Sequence, residues 1–361
     1  MRLAIRSVMR VMDRSASATS EAAAGVGTLD DLYGVLAQRD YAPLWTMHGA
    51  LTPEPTTAMV PRLWRYDEVR ALIVRAGELI SAEDAERRVL ALRNPGTAPH
   101  EVARATDTLW AAIQMVLPGE IAPAHRHTPA ALRYVIEGSG AYTAVDGRRC
   151  EMEVGDFVIT PSGSWHEHGH DGEGPMIWLD GLDLSIVHAL HAVFVERHEG
   201  GIPSLPQAPA SLRAGALLPR LPHEHPAPTL VWKLADALEA LDALRDADGD
   251  PFDDLRIEYR DPASNGPALP TMAAFLQRLR GGVALRAHRH TSSAVYHAIR
   301  GEGRTVVNGV ALEWAPGDTF AIPAWALHRH EPLGGEDALL FSFSDEPALR
   351  ALGLLCERAD A

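Results

Sequence analysis

The sequence predicts a mainly β protein assembled from two copies of one antiparallel unit. The first observation is length, since 361 residues allow two domains with hydrophobic cores of their own. The second is a succession of short β-prone runs separated by glycine and proline turns, which indicates a barrel or a sandwich. The third is an internal repeat, which makes the two units copies of each other.

The internal repeat keeps its register over about forty residues. His125-Arg-His127 recurs as His288-Arg-His290 at an offset of 163 residues, and His166 recurs as His328 at an offset of 162. The turn residues around them recur in pairs: Gly119 and Gly282, Gly138 and Gly301, Gly140 and Gly303, Gly155 and Gly317, Pro161 and Pro323. Chance does not easily produce such a register, so the chain is interpreted as a duplication.

The predicted elements alternate few helices with many short strands. A capping box at Thr28 and Asp31 opens the first helix, and Asn94-Pro-Gly96 ends an early strand. The predicted helices are 28–38, 67–80, 182–196 and 231–245. The predicted strands are 87–93, 108–117, 133–137, 141–145, 148–151, 157–160, 176–179, 255–260 and 270–280.

The duplication and the composition divide the chain into four segments. Residues 1–27 are predicted to be a disordered tail, since this stretch is rich in Ser and Ala and carries no secretory signal. Residues 28–200 form the first domain and 231–361 the second. Residues 201–230 form a linker, in which seven prolines occur.

Charge and cysteine content exclude several classes of protein. A net charge of -15 argues against nucleic acid as a partner, and an anionic substrate would need local arginines to bind. No apolar run is long enough for a membrane span. Two cysteines give no disulfide framework, which predicts a cytoplasmic protein.

His125, His127 and His166 are the candidate metal ligands. The first two alternate on a strand and project from one face, with Cα atoms about 6.6 Å apart. The glycine-rich hairpin that follows can return His166 to the same point. Three neutral imidazoles suit Zn, Fe, Cu, Ni or Mn, so the ligand type leaves the metal open. A zinc site or an empty barrel in a binding protein is the alternative.

Glycine, His-x-His, glycine, proline and histidine in this order resemble the two cupin motifs. The resemblance implies a bicupin, that is, two double-stranded β-helix (jelly-roll) barrels with a few flanking helices. Many cupins add a glutamate four residues after the second histidine, and Ala131 and Ala294 occupy that position here. The first triad would therefore leave about three positions of a bound metal open.

Polar residues on the neighbouring strands favour an enzyme. An inward Arg133 beside a metal is costly to desolvate unless an anion pairs with it, and a planar carboxylate is its natural partner. His168 shares a face with His166 and is placed to act as an acid or base. Trp110 and Gln114 are four apart and face the same way, offering an aromatic wall and a hydrogen bond.

The motif from His125 to Gly138, the block from Gly155 to His168 and the second-half block from His288 to His297 resemble gentisate 1,2-dioxygenases and their salicylate and 1-hydroxy-2-naphthoate relatives. The resemblance covers residues 32–352. It implies iron ligation by the first triad. It places substrate contacts at Trp110, Gln114, Arg133, His168 and Asp180, and an upstream arginine at Arg88 or Arg93.

The resemblance also implies a reaction. Fe(II) would be the cofactor, without an organic group, and gentisate and dioxygen the substrates, with ring opening between the carboxyl-bearing and hydroxyl-bearing carbons to give maleylpyruvate. Arg133 and Gln114 would fix the carboxylate, and Asp180 and His168 would handle protons. Salicylate or 1-hydroxy-2-naphthoate is the alternative substrate, and a non-catalytic bicupin that binds metal or ligand is the alternative class. A homotetramer is expected.

The second half keeps its triad and loses its substrate residues. His288, His290 and His328 repeat the ligand spacing, and His330 repeats His168. Three substrate positions change, with Ala273 in place of Trp110, Tyr296 in place of Arg133, and Ser342 in place of Asp180. The second triad is therefore predicted either to bind a metal or to persist as a hydrogen-bonded cluster, in both cases without turnover.

Overall fold

The computed structural model describes residues 25–49, 51–85, 87–198 and 229–359. The chain divides into two compact units, Met1–Glu54 and Pro55–Ala361. In the first unit, helix α1 (Leu29–Gln38) is followed by a 3-10 turn (Leu44–Thr46). Thr28 Oγ1 accepts from the Asp31 amide at 3.1 Å and the Asp31 carboxylate accepts from the Thr28 amide at 2.9 Å, which confirms the predicted capping box.

The strands up to the linker are β1 (Arg62–Trp64), β2 (Arg88–Ala91), β3 (Trp110–Val116), β4 (Ile121–His127), β5 (Ala131–Glu137), β6 (Ala141–Val145), β7 (Arg148–Met152), β8 (Phe157–Thr160), β9 (His166–His170), β10 (Met176–Leu182) and β11 (Val195–Arg197), and β12 (Val231–Trp232) follows the linker; the helices are α2 (Tyr66–Leu79), α3 (Ala82–Ala85) and α4 (Leu184–Ala189). Two sheets form the first barrel of the larger unit, in the orders β12-β8-β5-β10-β3-β2 and β11-β4-β9-β6-β7.

The remaining strands are β13 (Leu255–Glu258), β14 (Arg260–Asp261), β15 (Gly266–Pro267), β16 (Ala273–Leu279), β17 (His288–His290), β18 (Ala294–Arg300), β19 (Gly303–Val307), β20 (Val310–Trp314), β21 (Thr319–Ile322), β22 (His328–Pro332), β23 (Ala338–Ser344) and β24 (Glu357–Ala359); helices α5 (Leu234–Asp242) and α6 (Glu346–Ala351) and a 3-10 turn (Asp246–Asp248) accompany them. The second barrel repeats the arrangement of the first with sheets in the orders β1-β21-β18-β23-β16-β13 and β20-β19-β22-β17-β24. The duplicated antiparallel fold is therefore confirmed.

The two barrels exchange edge strands. β1 precedes the first barrel in sequence but pairs with β21 of the second, with Leu63 opposite Phe320. β12 follows the linker and pairs with β8 of the first barrel, with Trp232 opposite Phe157. Each exchange covers a sheet edge that would otherwise be exposed. Rings from both barrels also pack together, as Tyr134 stacks on Phe341 at 4.4 Å.

Two predicted helices are shorter than the sequence indicated. The predicted helix 182–196 is only the six-residue α4, and its end instead forms β11, which pairs with β4. The predicted helix 231–245 begins as strand β12 and becomes helical only at Leu234. In both places pairing with a sheet edge outweighs the local helical pattern. The predicted tail, apart from residues 25–27, and most of the linker lie outside the described residues.

Candidate active site

His125, His127 and His166 converge although they come from two strands. β4 carries the first two, and His166 on β9 is the direct cross-strand partner of His125. Their candidate ligand atoms all lie within 4.8 Å of one another, and their ring centroids are 4.2–5.2 Å apart. Three imidazoles this close together can converge on one ion, for which metal–nitrogen bonds are about 2.0–2.1 Å.

Backbone carbonyls fix the orientation of all three rings. Each Nδ1 faces the carbonyl of a residue two positions away: Pro123 at 3.2 Å from His125, Pro129 at 2.7 Å from His127, and Ser164 at 3.0 Å from His166. A carbonyl accepts only, so Nδ1 of His127 and His166 carries the proton and Nε2 keeps a lone pair. Nε2 of His166 is buried without a hydrogen-bond partner among the described residues, as a metal ligand would be.

Burial keeps the triad neutral, which is the form that binds a metal. Desolvation lowers the pKa of His125 to about 3 and the pKa of His127 to about 4. It also moves the pKa of His166 well below its ordinary value, and the nearby cation of Arg133 adds to that shift. Protons therefore do not compete with a metal here near neutral pH.

Arg133 lies buried beside the triad with its guanidinium held on three sides. One terminal nitrogen donates to Thr160 Oγ1 at 2.7 Å and the other to His168 Nε2 at 3.2 Å. Nε is 3.4 Å from the Asp180 carboxylate. Burial lowers the pKa of Arg133 and Asp180 opposes that shift. Each terminal nitrogen carries two N–H groups and uses one here, so the guanidinium can still donate to a planar anion.

His168 and Asp180 both contact this arginine and are held by hydrogen bonds of their own. Nδ1 of His168 lies 2.9 Å from Thr143 Oγ1, and its Nε2 accepts from the guanidinium. The Asp180 carboxylate accepts from Trp178 Nε1 at 3.0 Å, and burial raises its pKa to about 6. A carboxyl with such a pKa can exchange a proton near neutral pH.

The strand register places the predicted substrate residues on one sheet face. Asp180 on β10 lies between Ala112 on β3 and Arg133 on β5. Trp110 lies two residues before Ala112 and Gln114 two residues after it, so both side chains share its face of the sheet. Trp110 is partly buried, while Gln114 is buried and its Nε2 has no hydrogen-bond partner within the described ranges. Sequence reasoning thus grouped these residues correctly in space.

Of the three arginines at this strand, the one that reaches the triad is Arg87, whereas the resemblance pointed to Arg88 or Arg93. A terminal nitrogen of Arg87 lies 2.5 Å from Nδ1 of His125. Arg88 instead forms an ion pair with Glu120 at 2.5 Å, and Arg93 donates to the carbonyls of residues 97 and 98. Arg87 precedes the first residue of β2, where the alternation of a strand no longer predicts direction.

The second triad repeats the geometry of the first. The candidate ligand atoms of His288, His290 and His328 lie within 4.8 Å of one another, with ring centroids 4.5–5.4 Å apart. Nδ1 of His290 faces the Ser292 carbonyl at 2.7 Å and Nδ1 of His328 the Ala326 carbonyl at 2.9 Å. Nδ1 of His288 faces a carboxylate oxygen of Glu357 at 2.8 Å.

The walls of the second cavity differ from those of the first site. Ser342 lies between Phe275 and Tyr296, in the same register as Asp180 between Ala112 and Arg133, as the sequence offset predicts. The cavity measures about 340 Å³. Two cations line it, Arg256 and Arg350, although Tyr296 replaces the arginine of the first site. Each of them, however, is paired with an acid, Asp253 and Glu346 respectively.

Two barrels with three converging imidazoles each define a metal-binding cupin protein, and the cupin domain family matches residues 112–182 and 275–344. The chain is 38% identical to gentisate 1,2-dioxygenase 1 of Aquipseudomonas alcaligenes over 330 residues, covering 90% of this chain and 94% of the relative. It is 40% identical to a 5-aminosalicylate 1,2-dioxygenase of Comamonas over 343 residues, covering 92% and 91%.

A solved structure agrees with these relatives. The crystal structure of salicylate 1,2-dioxygenase from Pseudoaminobacter salicylatoxidans with gentisate superposes with a TM-score of 0.81 at 29% identity, covering 93% of this chain and 95% of that one. The chain belongs to the gentisate 1,2-dioxygenase family of bicupins. It is a ring-cleaving oxidoreductase, and its two histidine triads are groups that could each hold a metal ion. Among the helices of the described ranges, none has the length and apolarity that a membrane span requires.

Proposed function

We propose that this chain is an Fe(II)-dependent gentisate 1,2-dioxygenase, which opens the ring between the carboxyl-bearing carbon and its hydroxyl-bearing neighbour to give maleylpyruvate. The observation that carries the proposal is the pairing of a neutral histidine triad with the buried guanidinium of Arg133. A neutral triad leaves the charge of the metal uncompensated, and a buried guanidinium attracts a carboxylate. Together they select a small aromatic acid.

His125, His127 and His166 would hold the iron. When bound, Fe(II) supplies a redox-active Lewis acid at which the aromatic acid and dioxygen are brought together. Ala131 occupies the place of a fourth, carboxylate ligand, which leaves room on the metal for both substrates. The relatives named for gentisate, 5-aminosalicylate and salicylate support an ortho-hydroxy acid as the organic substrate.

The remaining residues bind the acid and move protons. Arg133 donates its two remaining terminal N–H groups to the substrate carboxylate, and the unpartnered Nε2 of Gln114 adds a hydrogen bond. The indole of Trp110 packs against the aromatic ring of the substrate. Asp180 accepts or returns the proton, because its pKa of about 6 lies near the working pH. Nε2 of His168 already accepts from Arg133, so His168 holds the guanidinium in position.

Arg87 supplies a second cation to the same acid. Nδ1 of His125 cannot both donate to the Pro123 carbonyl and accept from Arg87, because it has either a proton or a lone pair. The metal-binding form of His125 needs the proton on Nδ1. Arg87 therefore turns away from His125 when the metal binds, and its guanidinium becomes a further donor for the substrate.

Oxygen uptake by anaerobically iron-loaded protein tests the proposal with gentisate, salicylate, 5-aminosalicylate and 1-hydroxy-2-naphthoate as separate substrates. Gentisate is expected to react fastest, because a second hydroxyl makes the ring easier to oxidise. Zinc-loaded protein serves as the control and should consume no oxygen. Failure to consume oxygen with any acid would contradict the dioxygenase assignment, whereas faster turnover of salicylate would contradict the substrate alone.

We also propose a cytoplasmic homotetramer. Large apolar side chains are exposed just after α4 and on β11, with Leu190 72% and Val195 58% exposed, and such residues commonly lie in subunit contacts. Cys150 and Cys356 are both free, which fits a reducing compartment. Multi-angle light scattering should give four times the chain mass, and a clean monomer would contradict the assembly.

A further inference from the structure

We propose that Asp253 joins His288, His290 and His328 in a divalent-cation site of a different kind from the first triad. This second site contains a carboxylate ligand and binds its ion more tightly than the first site. No substrate binds to the ion there. The proposal concerns the second barrel alone and does not depend on which acid the first barrel cleaves.

Asp253 is a buried carboxylate with one oxygen left over. Its side chain is 8% exposed, and Oδ2 forms an ion pair with Arg256 at 2.5 Å. Oδ1 is buried and has no hydrogen-bond partner within the described part of the chain. That oxygen lies 4.0 Å from Nε2 of His288. An unpaired buried carboxylate oxygen is costly, so a partner is expected at this point.

Nε2 of His288 faces this oxygen with a lone pair of its own. Nδ1 of the ring lies 2.8 Å from the Glu357 carboxylate, which accepts only, so the proton of the neutral imidazole is on Nδ1. Nε2 is likewise without a hydrogen-bond partner among the described residues, as is Nε2 of His328. Converging lone pairs in a buried site repel each other unless a cation lies between them.

The separation suits such a cation. Ligands at about 2.0–2.2 Å from an ion can be up to about 4 Å apart, which covers the distance from Asp253 to His288. The ligand atoms of the three histidines are gathered around the same point, within 4.8 Å of one another. Three imidazoles with one carboxylate suit divalent zinc, iron, cobalt or manganese. The carboxylate comes from the chain before β13, whereas Ala294 occupies the glutamate position that the motif resemblance pointed to.

Electrostatics distinguish the second site from the first. Glu357 contacts His288, whereas Val195 is its counterpart in the register of β11. The cations in the second cavity, Arg256 and Arg350, are each held by an acid. A shell with this many carboxylates stabilises a metal ion and repels an anionic substrate. In the first site, the guanidinium groups of Arg87 and Arg133 have the reverse effect.

The test uses the His127→Ala variant, which removes a ligand from the first triad. Its metal-free form is titrated with Co²⁺ and followed by equilibrium dialysis and visible absorption. We expect one Co²⁺ per chain, and none after the additional substitution His290→Ala. In the same background, Asp253→Asn should weaken Co²⁺ binding at least about tenfold and change the absorption bands, because ligand-orienting groups alone contribute about 10–100-fold.

Two further variants keep the result interpretable. Glu346→Gln removes the same charge from the same cavity without facing the triad, and its Co²⁺ affinity should stay within about twofold. Arg256→Gln leaves every proposed ligand in place and frees Asp253 from its ion pair, so Co²⁺ should bind more tightly. Circular dichroism confirms that each variant is folded.

Three outcomes would overturn the proposal. A folded His127→Ala protein that binds no Co²⁺ would show that the second triad is a hydrogen-bonded histidine cluster. Equal weakening by Asp253→Asn and Glu346→Gln would show that Asp253 acts only through the charge of the cavity. Weaker binding in Arg256→Gln would show that the ion pair, and not the carboxylate oxygen, supports the site.

Discussion

The two barrels share one backbone and one histidine geometry but present opposite charges to their centres. In each barrel, the strand with the His-x-His motif pairs with the strand that carries the third histidine. The distances between the ring centroids differ by only a few tenths of an ångström from one barrel to the other. The first triad faces Arg87 and Arg133, and the second faces Asp253 and Glu357. The shared scaffold therefore accounts for the histidine geometry, while a few charged side chains decide whether an anionic substrate can bind beside the metal.

One position shows how the difference arises. Arg133 of the first barrel corresponds to Tyr296, which stacks on Phe320 at 5.0 Å and fills the space of the guanidinium. His168 and His330 keep the same threonine contact at 2.9 Å, through Thr143 and Thr305. Nε2 of His168 accepts from Arg133, whereas Nε2 of His330 has no such donor among the described residues. The second barrel thus keeps the histidine and its threonine partner but has no arginine for the histidine to position.

The largest contrast is expected from removing one ligand in each triad. His127→Ala should reduce oxygen uptake with gentisate by more than about 100-fold, since even outer partners of metal ligands contribute about 10–100-fold. The oxygen uptake of His290→Ala should stay within about twofold of that of the unmodified chain, because distant sites act independently. Steady-state oxygen consumption and iron content per chain measure both. Equal losses of activity in the two variants would show that the second barrel takes part in the chemistry.

The next contrast concerns the arginines. Arg133→Ala should raise KM for gentisate about 100-fold, since a charge-assisted hydrogen bond contributes about 1.5–3 kcal/mol, and iron content should not change. Arg256→Ala is the matched control in the second cavity and should leave KM within about twofold. Steady-state kinetics and metal analysis provide the readouts. Loss of iron from Arg133→Ala would mean that Arg133 supports the fold rather than the substrate.

A smaller effect is expected in the pH profile. The pKa of Asp180 is raised by burial to about 6, so the carboxylate protonates as the pH falls through 6 and kcat should fall about tenfold per pH unit below that point. Asp180→Asn should remove this acidic limb and lower kcat at neutral pH. Burial also raises the pKa of Asp345, in the second barrel, to about 6. The Asp345→Asn variant should keep the fall in kcat below pH 6. If that fall disappears in Asp345→Asn, it cannot be assigned to Asp180.

The smallest effect is expected from the paired threonines. Thr143→Val removes the hydrogen bond that orients His168 while preserving side-chain shape, and KM should rise about fivefold, as one neutral hydrogen bond contributes about 1 kcal/mol. Thr305→Val makes the same change at His330 and should leave KM unaltered. Thr143→Ser should restore the original KM. If Thr143→Val lowers only thermal stability, the hydrogen bond is structural and does not position Arg133.

The duplicated β fold and both histidine triads were predictable from the amino-acid sequence alone. Strand alternation fixes which residues of one strand share a face, and turn residues fix where the chain reverses. His125 and His127, and their copies at 288 and 290, are therefore readable from spacing alone. The same alternation placed Trp110 and Gln114 together, and the repeat offset correctly matched Asp180 with Ser342.

Three charged groups that reach the two centres, Arg87, Asp253 and Glu357, became visible only in the folded chain. Arg87 precedes β2 and Asp253 precedes β13, and backbone direction outside a strand depends on packing rather than on alternation. Glu357 reaches His288 because β24 pairs with β17, a contact between segments some 70 residues apart. The exchange of β1 and β12 between the barrels has the same cause. Edge pairing is decided by which sheet edge is open in three dimensions, and no local pattern records it.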